Sequence, residues 1–161
     1  FRESFRPFAP SIINEKLNEW FDLKNESPYM LFVANVNDQH LLKSSNKKNI
    51  SIGVNRINEI RSSIPAITHV DNSARIQTVH KETNEKFHSL IMEFFKKTGV
   101  PILVNTSFNV RGEPIVCSPE DAFNCFMGTD LDKLILGNCY LDKKKQNQDL
   151  KKDYSDKFEL D

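Results

Sequence analysis

The sequence predicts an α/β fold, in which helices pack against a β-sheet, and two kinds of pattern support this prediction. Short apolar segments at 30–34, 102–104 and 134–136 have the length and composition of buried strands. Between them, apolar residues recur at helical spacing over 11–22 and 87–95. A chain of 161 residues with 39% hydrophobic and 27% charged residues is also large enough to form one globular domain with a core.

The charge balance and the cysteines narrow the class of protein. Lysine plus arginine and aspartate plus glutamate each total 22, so a long basic surface for a nucleic-acid backbone is not expected. Three cysteines without paired metal-ligand spacing are expected to be reduced thiols, as in a cytoplasmic protein. No apolar segment reaches the length of a membrane span, and the chain starts without a methionine. We therefore expect a part of a longer cytoplasmic protein with no membrane partner.

The first third of the chain is expected to form an extended segment, a helix and a strand, in that order. Two prolines stiffen residues 5–10, so Arg6 is presented from a defined backbone, although a lone arginine is more commonly a solvated surface group. Apolar residues at helical spacing, including Trp20, predict an amphipathic helix over 11–22. The apolar residues 30–34 then predict the first strand.

The middle of the chain is predicted to hold a variable segment and a polar strand. Residues 43–63 are rich in serine, asparagine and lysine, which favours an insertion or lid, with a plain surface loop as the alternative. Residues 67–79 fit a hairpin or a kinked strand. Arg75 and Gln77 share one face of that strand, which either lines a pocket or meets solvent. His69 is a candidate acid–base group, although a lone histidine is more often structural.

The second half of the chain begins with the most regular helix pattern in the sequence. Apolar side chains recur every three or four residues over 87–95, and we expect the three phenylalanines among them to be core residues. Thr83 or Asn84 can cap the start of this helix. The segment Ser118-Pro-Glu-Asp121 starts another helix, with serine as the N-cap. Residues 143–161 are rich in lysine and aspartate and are expected to form a solvated tail.

Polar residues that follow the strand at 102–104 form a candidate site. Asn105, Ser107 and Arg111 come after that strand, and open α/β sheets place ligands at the carboxyl ends of their strands. Amide, hydroxyl and guanidinium groups can together donate several hydrogen bonds to one anion, such as a phosphate. On the pattern alone, an ordinary turn whose side chains bond their own backbone is an equally good interpretation.

Six segments of the sequence occur in a specific order. They are Phe5-Arg-Pro-Phe-Ala-Pro10, Ser27-Pro-Tyr-Met-Leu31, Pro65-Ala-Ile-Thr-His-Val-Asp71, Ala74-Arg-Ile-Gln77, Asn105-Thr-Ser-Phe-Asn-Val-Arg-Gly-Glu-Pro114 and Pro119-Glu-Asp-Ala122. These segments resemble the C-terminal domain of the O-carbamoyltransferases, a family that includes nodulation and antibiotic-tailoring enzymes. The resemblance covers most of residues 1–141, so it is more specific than one short motif.

The resemblance implies a YrdC-like fold, which is a twisted mixed β-sheet with helices packed against it, in a single domain over residues 1–142. It implies that this domain takes carbamoyl phosphate and ATP, with Mg²⁺ accompanying the ATP, and forms carbamoyl-adenylate. A sugar-kinase/actin-like N-terminal domain outside this chain is expected to bind the metal of the transfer site. That domain would pass the carbamoyl group to an alcohol, so we expect this chain to be incomplete alone.

The resemblance also suggests which residues bind the substrates. The expected binding residues are Arg6, Arg75, Asn105 and Ser107, with His69 and Arg111 as second choices and with no metal ligand. Arg6 and Arg75 would bind the phosphate. The Asn105 amide and the Ser107 hydroxyl would bind the carbamoyl group or adjacent phosphate oxygens. We expect Arg75 and Ser107 to converge on one anion, and the 87–95 helix to pack on the sheet face opposite Arg75.

Two other classes of function stay open at this point. A YrdC-like sheet also resembles RNA-binding modules. If this chain is such a module, its affinity for nucleic acid should weaken steeply as the salt concentration rises. Alternatively, the domain could bind no small ligand and only complete a larger enzyme. In that case Trp20 and the helix around it would form an interface.

Overall fold

A four-stranded mixed sheet organises the first of two units in the computed structural model, which describes residues 6–42 and 59–151. Its strands are β1 (Ala9–Ile13), β2 (Phe32–Asn35), β3 (Ser73–Val79) and β4 (Ile102–Asn105), in the spatial order β2-β3-β1-β4. β1 runs parallel to β3 and antiparallel to β4, and β2 is antiparallel to β3. The predicted α/β class with a mixed sheet is therefore confirmed, while the YrdC-like likeness stays a prediction.

One face of this sheet carries the larger apolar core of the first unit. β1 is followed by a 3₁₀ turn (Asn14–Lys16) and by α1 (Leu17–Trp20). The residues of this core include Ile12, Ala34, Ala74, Ile76 and Ile102 from the four strands, together with Leu17, Trp20 and Phe21. The Trp20 ring also stacks on His40, with the ring centroids 3.7 Å apart. Trp20 is therefore a core residue.

The helix predicted over 11–22 is wrong in its first half, because residues 9–13 form β1. Ile12 and Ile13 are both fully buried, and they pack in different clusters on opposite faces of the sheet. A central strand that is buried on both faces shows no alternation of apolar and polar residues. Ile13 therefore extended the helical spacing of Leu17, Trp20 and Phe21.

The second helix, α2 (Glu85–Thr98), begins where the sequence predicted. The Asn84 side chain accepts a hydrogen bond from the Phe87 backbone N–H, and Gly99 ends the helix in the left-handed region with φ 74°. Ile91 packs, with Phe87 and Phe95 beside it, against Ile13, Val79 and Leu103 of the sheet. α2 therefore covers one end of the sheet face opposite the larger core.

The expectation that all three phenylalanines of α2 are core residues is wrong for Phe94, which is 38% exposed. Leu90, one turn earlier, is 55% exposed. The buried stripe contains His88 and Ile91 instead, and the His88 ring nitrogen Nε2 lies 2.9 Å from a Glu15 carboxylate oxygen. Leu90 and Phe94 lie at the edge of the stripe, partly in solvent.

The residues before β3 form turns and not a strand. Pro65–Ile67 is a 3₁₀ turn, and Asn72 adopts a positive φ of 67° in the reverse turn that follows. The hairpin or kinked strand expected over 67–79 is therefore reduced to the single strand β3, which pairs with β1 and β2. Residues 43–58 of the predicted insertion lie outside the described residues.

The second unit spans residues 107–151 and contains α3 (Pro119–Gly128) and a hairpin of β5 (Lys133–Leu136) and β6 (Cys139–Asp142). The predicted helix start at Ser118 is confirmed as a capping box. The Ser118 hydroxyl accepts from the Asp121 N–H, and the Asp121 carboxylate accepts from the Ser118 N–H. Ala122, Phe126, Met127 and Leu134 form the core of this unit.

The end of the chain is only partly described. Two 3₁₀ turns, Lys143–Lys145 and Gln148–Leu150, follow β6, and the rest of the predicted tail lies outside the described residues. Of the helices that the structure describes, none is both long enough and apolar enough to cross a bilayer.

Candidate functional site

Polar side chains of β3 lie on the sheet face that α2 covers at one end. Side chains along a strand alternate between faces, so Arg75, Gln77 and Val79 form one row. Val79 of this row packs with Ile91 of α2. Arg75 therefore lies on the α2 face, and the expectation that it would lie on the opposite face is wrong. Arg75, which is exposed, and Gln77, which is half-buried, lie on the part of the row that α2 does not contact.

Gln77 joins three strands of the sheet through its side chain. The Ser11 hydroxyl on β1 and the Asn105 amide nitrogen on β4 each donate to Gln77 Oε1, both at 2.6 Å. The Gln77 amide nitrogen donates to the backbone carbonyl of Pro28 at 3.2 Å. Ser11 is fully buried in the central strand, so the packing around it holds the Ser11 hydroxyl in place beside Gln77.

Arg75 and Asn105 lie on opposite sides of the small residue Ala9. Asn105 pairs with Ala9 in the register of β1 and β4, and extending the β1–β3 register by two residues places Arg75 level with Ala9. Two strand spacings separate their Cα atoms, which is roughly 9.5 Å. The methyl group of Ala9 leaves space between the two longer side chains. We call Ala9, Ser11, Arg75, Gln77 and Asn105 the polar sheet face.

His69 is connected to the same row through Ser73, which lies two residues before Arg75. The Ser73 hydroxyl is 2.7 Å from the Asp71 carboxylate and 2.9 Å from His69 Nδ1. An ionised carboxylate only accepts, so the hydroxyl donates to Asp71, and His69 Nδ1 must carry a proton that it donates to Ser73. In the neutral ring, Nε2 is then left as a proton acceptor. The hydrogen bonds from the Ser73 side chain and backbone also lower the pKa of Asp71.

The other predicted residue of the first unit, Arg6, lies on the segment that leads into β1. It is exposed, and the backbone N–H of Phe8 donates to the Ala66 carbonyl at 2.8 Å, which holds this segment next to the turn before β3. Arg6 is three residues upstream of Ala9 along the chain. The structure therefore places Arg6, Arg75, Asn105 and His69 in one unit, with Arg75 and Asn105 flanking a common position.

Ser107 and Arg111 belong to the second unit, and both are exposed. Arg111 is part of a tight turn. The Asn109 amide donates to the Glu113 carbonyl at 2.8 Å, and the Glu113 carboxylate accepts from the Val110 N–H at 2.9 Å. Local side-chain bonding of this kind, the alternative considered for this segment, therefore accounts for part of its polarity. The convergence of Ser107 with Arg75 stays a prediction.

A cleft of about 440 Å³ lies beside Gln77 in the first unit. Its lining includes Pro28, Tyr29, Gln77, His80, Thr83 and Phe87. Amide, hydroxyl and imidazole groups meet two aromatic rings there, and the carboxylates of Glu26 and Glu82 also line the cleft. Gln77 belongs to both the cleft and the polar sheet face. Within the described part of the chain, no three His, Cys, Asp or Glu side chains are grouped to hold a metal ion.

Sequence reasoning missed Ser11, because the residue was placed in the predicted helix. It also gave Gln77 no role beyond sharing a face with Arg75. A guanidinium and a cross-strand amide network on an incompletely covered sheet face can together offer hydrogen bonds to a small polar or anionic ligand.

Comparison with known proteins defines the family. The model of the family described as "Carbamoyltransferase C-terminus" matches residues 1–143. The chain belongs to this family, and the resemblance inferred from its sequence segments is confirmed.

Three relatives show how this chain relates to longer proteins. An uncharacterised protein of Synechocystis sp. is 52% identical over all of this chain and 26% of its own length. Nodulation protein NolO of Bradyrhizobium diazoefficiens is 42% identical over 84% of this chain and 22% of its own length. The 3'-hydroxymethylcephem-O-carbamoyltransferase of Amycolatopsis lactamdurans is 30% identical over 86% of this chain and 22% of its own length. The chain therefore spans 22% to 26% of the length of these relatives.

Proposed function

We propose that this chain binds carbamoyl phosphate and ATP and forms carbamoyl-adenylate, the activated intermediate of an O-carbamoyltransferase. The family supports a role in carbamoyl transfer. The observation that carries the proposal is the placement of Arg75 and Asn105 on either side of Ala9. A guanidinium suits the phosphate end of carbamoyl phosphate, and an amide suits its carbamoyl end.

The reaction has two balanced steps in this proposal. Water attacks the phosphorus of carbamoyl phosphate, the P–O bond to the carbamoyl group breaks, and phosphate and carbamate are released. A carbamate oxygen then attacks the α-phosphorus of ATP, and pyrophosphate leaves with the electron pair of the broken P–O bond. Carbamate must meet ATP before it is lost to water, so the protein contributes mainly positioning and charge stabilisation.

The residues of the first unit take separate roles in these steps. Arg75 binds the phosphate through two parallel hydrogen bonds, and Arg6 supplies a second positive charge. Asn105 holds the carbamoyl group, and His69, whose Nε2 is a proton acceptor, is the candidate base for the attacking water. Ser107 of the second unit keeps its expected role as a further hydrogen-bond donor.

ATP is assigned to the cleft beside Gln77, where Tyr29 and Phe87 offer aromatic surfaces for a base. Phosphate oxygens are common ligands of Mg²⁺, so the ion enters the proposal with ATP and without an assigned protein ligand. Transfer of the carbamoyl group to an alcohol is assigned to a sugar-kinase/actin-like domain outside this chain. That assignment agrees with the small share of its relatives that the chain spans.

Calorimetry and phosphorus NMR test the proposal directly. We expect the purified chain to bind carbamoyl phosphate in a saturable manner, and to release pyrophosphate from ATP only when carbamoyl phosphate is present. Inorganic phosphate and acetyl phosphate serve as ligand controls. If carbamoyl phosphate binds no more tightly than inorganic phosphate, the proposal is wrong. RNA binding that disappears at high salt would then favour a nucleic-acid module, and no binding by a folded chain would favour a structural domain.

A further inference from the structure

We propose that Gln77 makes the polar sheet face selective for a carbamoyl group, because it binds the Asn105 amide nitrogen and so leaves the Asn105 oxygen to accept from the ligand. Asn105 is then the residue that contacts the carbamoyl nitrogen, and Gln77 is a positioning residue. This inference rests on the proposed function, since it concerns the same ligand at the same site.

The direction of the Gln77 network follows from one group that cannot be reversed. The backbone carbonyl of Pro28 only accepts hydrogen bonds, and a Gln77 side-chain atom lies 3.2 Å from it. That atom must be the amide nitrogen. The other end of the amide, the oxygen Oε1, consequently faces Ser11 and Asn105.

The same reasoning extends to Asn105. Because Gln77 Oε1 also only accepts, Asn105 must present its amide nitrogen to it, at 2.6 Å. The Asn105 side-chain oxygen Oδ1 and the second N–H of its amide are therefore not used in this bond. Turning Gln77 around would place its oxygen against the Pro28 carbonyl and its NH₂ group against that of Asn105. Ser11, fully buried on β1, donates a second hydrogen bond to Oε1.

An amide oxygen that is left to accept from the ligand selects for an N–H donor on it. Carbamoyl phosphate carries an NH₂ group where acetyl phosphate carries a methyl group, while both share the phosphate and the carbonyl. The methyl group cannot donate to Asn105 Oδ1, which would lose a hydrogen bond to water without replacement. Sites that bond an N–H of the substrate discriminate against analogues that lack it more strongly than apolar pockets do.

The test is the ratio of the dissociation constants for acetyl phosphate and carbamoyl phosphate, measured by calorimetry on the full 161-residue chain. For the wild type we expect a ratio of about 10, the equivalent of one hydrogen bond. Gln77→Leu removes the acceptor and should reduce the ratio to about 2 or less, with the affinity for inorganic phosphate changed by less than about twofold. Asn105→Ala should lose the same selectivity.

A matched control separates positioning from general damage. Gln39→Leu removes an amide elsewhere in the first unit, where Gln39 donates to the Glu19 carbonyl, and should leave the ratio unchanged. A Gln77→Leu protein that weakens both ligands equally, or that keeps the wild-type ratio, would overturn the inference alone. A wild-type chain that does not distinguish carbamoyl phosphate from inorganic phosphate would overturn the proposed function as well.

Discussion

Replacing Arg75 by lysine tests whether a guanidinium binds the phosphate of carbamoyl phosphate. Arg75 is exposed on β3, and no hydrogen bond or ion pair joins its side chain to another described residue. The fold therefore does not depend on its head group. Lysine keeps the positive charge but cannot donate the two parallel hydrogen bonds that a guanidinium offers a phosphate. We expect weaker binding at unchanged stability.

The size of the effect follows from the exposure of Arg75. A hydrogen bond to a charged group contributes about 1.5–3 kcal/mol, which corresponds to a roughly 10- to 150-fold change in Kd. Solvent screens an exposed pair, so we expect the lower end, an increase of about tenfold in the Kd for carbamoyl phosphate. The free energy of unfolding should change by less than about 0.5 kcal/mol, as for other exposed positions.

The measurement combines calorimetry with urea denaturation of the same samples. Lys97→Arg is the matched control, because this exposed residue in the last turn of α2 undergoes the reverse exchange at constant charge. It should leave both the affinity and the stability unchanged. If Arg75→Lys binds carbamoyl phosphate normally but unfolds at lower urea, Arg75 is a structural residue and the site has been misplaced.

Three further predictions concern the fold around the site. Asn84→Ala removes the acceptor for the Phe87 N–H and should lower the free energy of unfolding by about 1 kcal/mol in urea denaturation. Glu15→Gln should destabilise the protein at pH 7 and much less at pH 3. Burial opposes ionisation of Glu15, but hydrogen bonds from its backbone and His88 and the charge of His88 together lower its pKa below 4.5. The contribution of the ionised carboxylate is therefore present above pH 4.5 and is lost as the pH falls through the folded-state pKa. Iodoacetamide at pH 8 should modify two of the three thiols, because burial and the Glu113 carboxylate raise the pKa of Cys125 to about 11, whereas the other two cysteines are exposed.

Each of these predictions has a control or a contrary result. Asn84→Asp keeps a capping acceptor and should retain most of the stability. Equal destabilisation by Glu15→Gln at pH 7 and pH 3 would show that the charge of Glu15 does not contribute to the free energy of unfolding. Mass spectrometry that finds Cys125 modified as quickly as the other thiols would show that α3 opens readily in the native protein.

Helices with explicit end signals could be predicted from the sequence, whereas β1 could not. Asn84 and Ser118 each supply a side-chain acceptor to the first turn of a helix, and such local chemistry is visible in a few consecutive residues. β1 is fully enclosed between β3 and β4, so all five of its residues are buried. With no polar face, the strand carries no period-two signal, and Ile13 fits the helical spacing of the residues that follow.

The site could be predicted in part for a similar reason. Alternation along β3 correctly placed Arg75 and Gln77 on one face, because that relation is local. Which face it is depends on the contact of Val79 with Ile91, and that contact is tertiary. Ser11 enters the site only through pairing with Gln77, 66 residues further along the chain. No feature near Ser11 in the sequence indicates that partner.

The pairing of β1 with distant strands also sets the order in which the protein can fold during synthesis. β1 is made before its partners on β3 and β4, which end only at Val79 and Asn105. Pairing over such separations carries a large loop-closure cost, so it forms late and slowly. Until Asn105 has left the ribosome, the backbone edge of β1 that pairs with β4 lacks its partner and is exposed to aggregation. Completion of the polar sheet face, and with it any ligand binding, is therefore expected to coincide with the last step in folding of this unit.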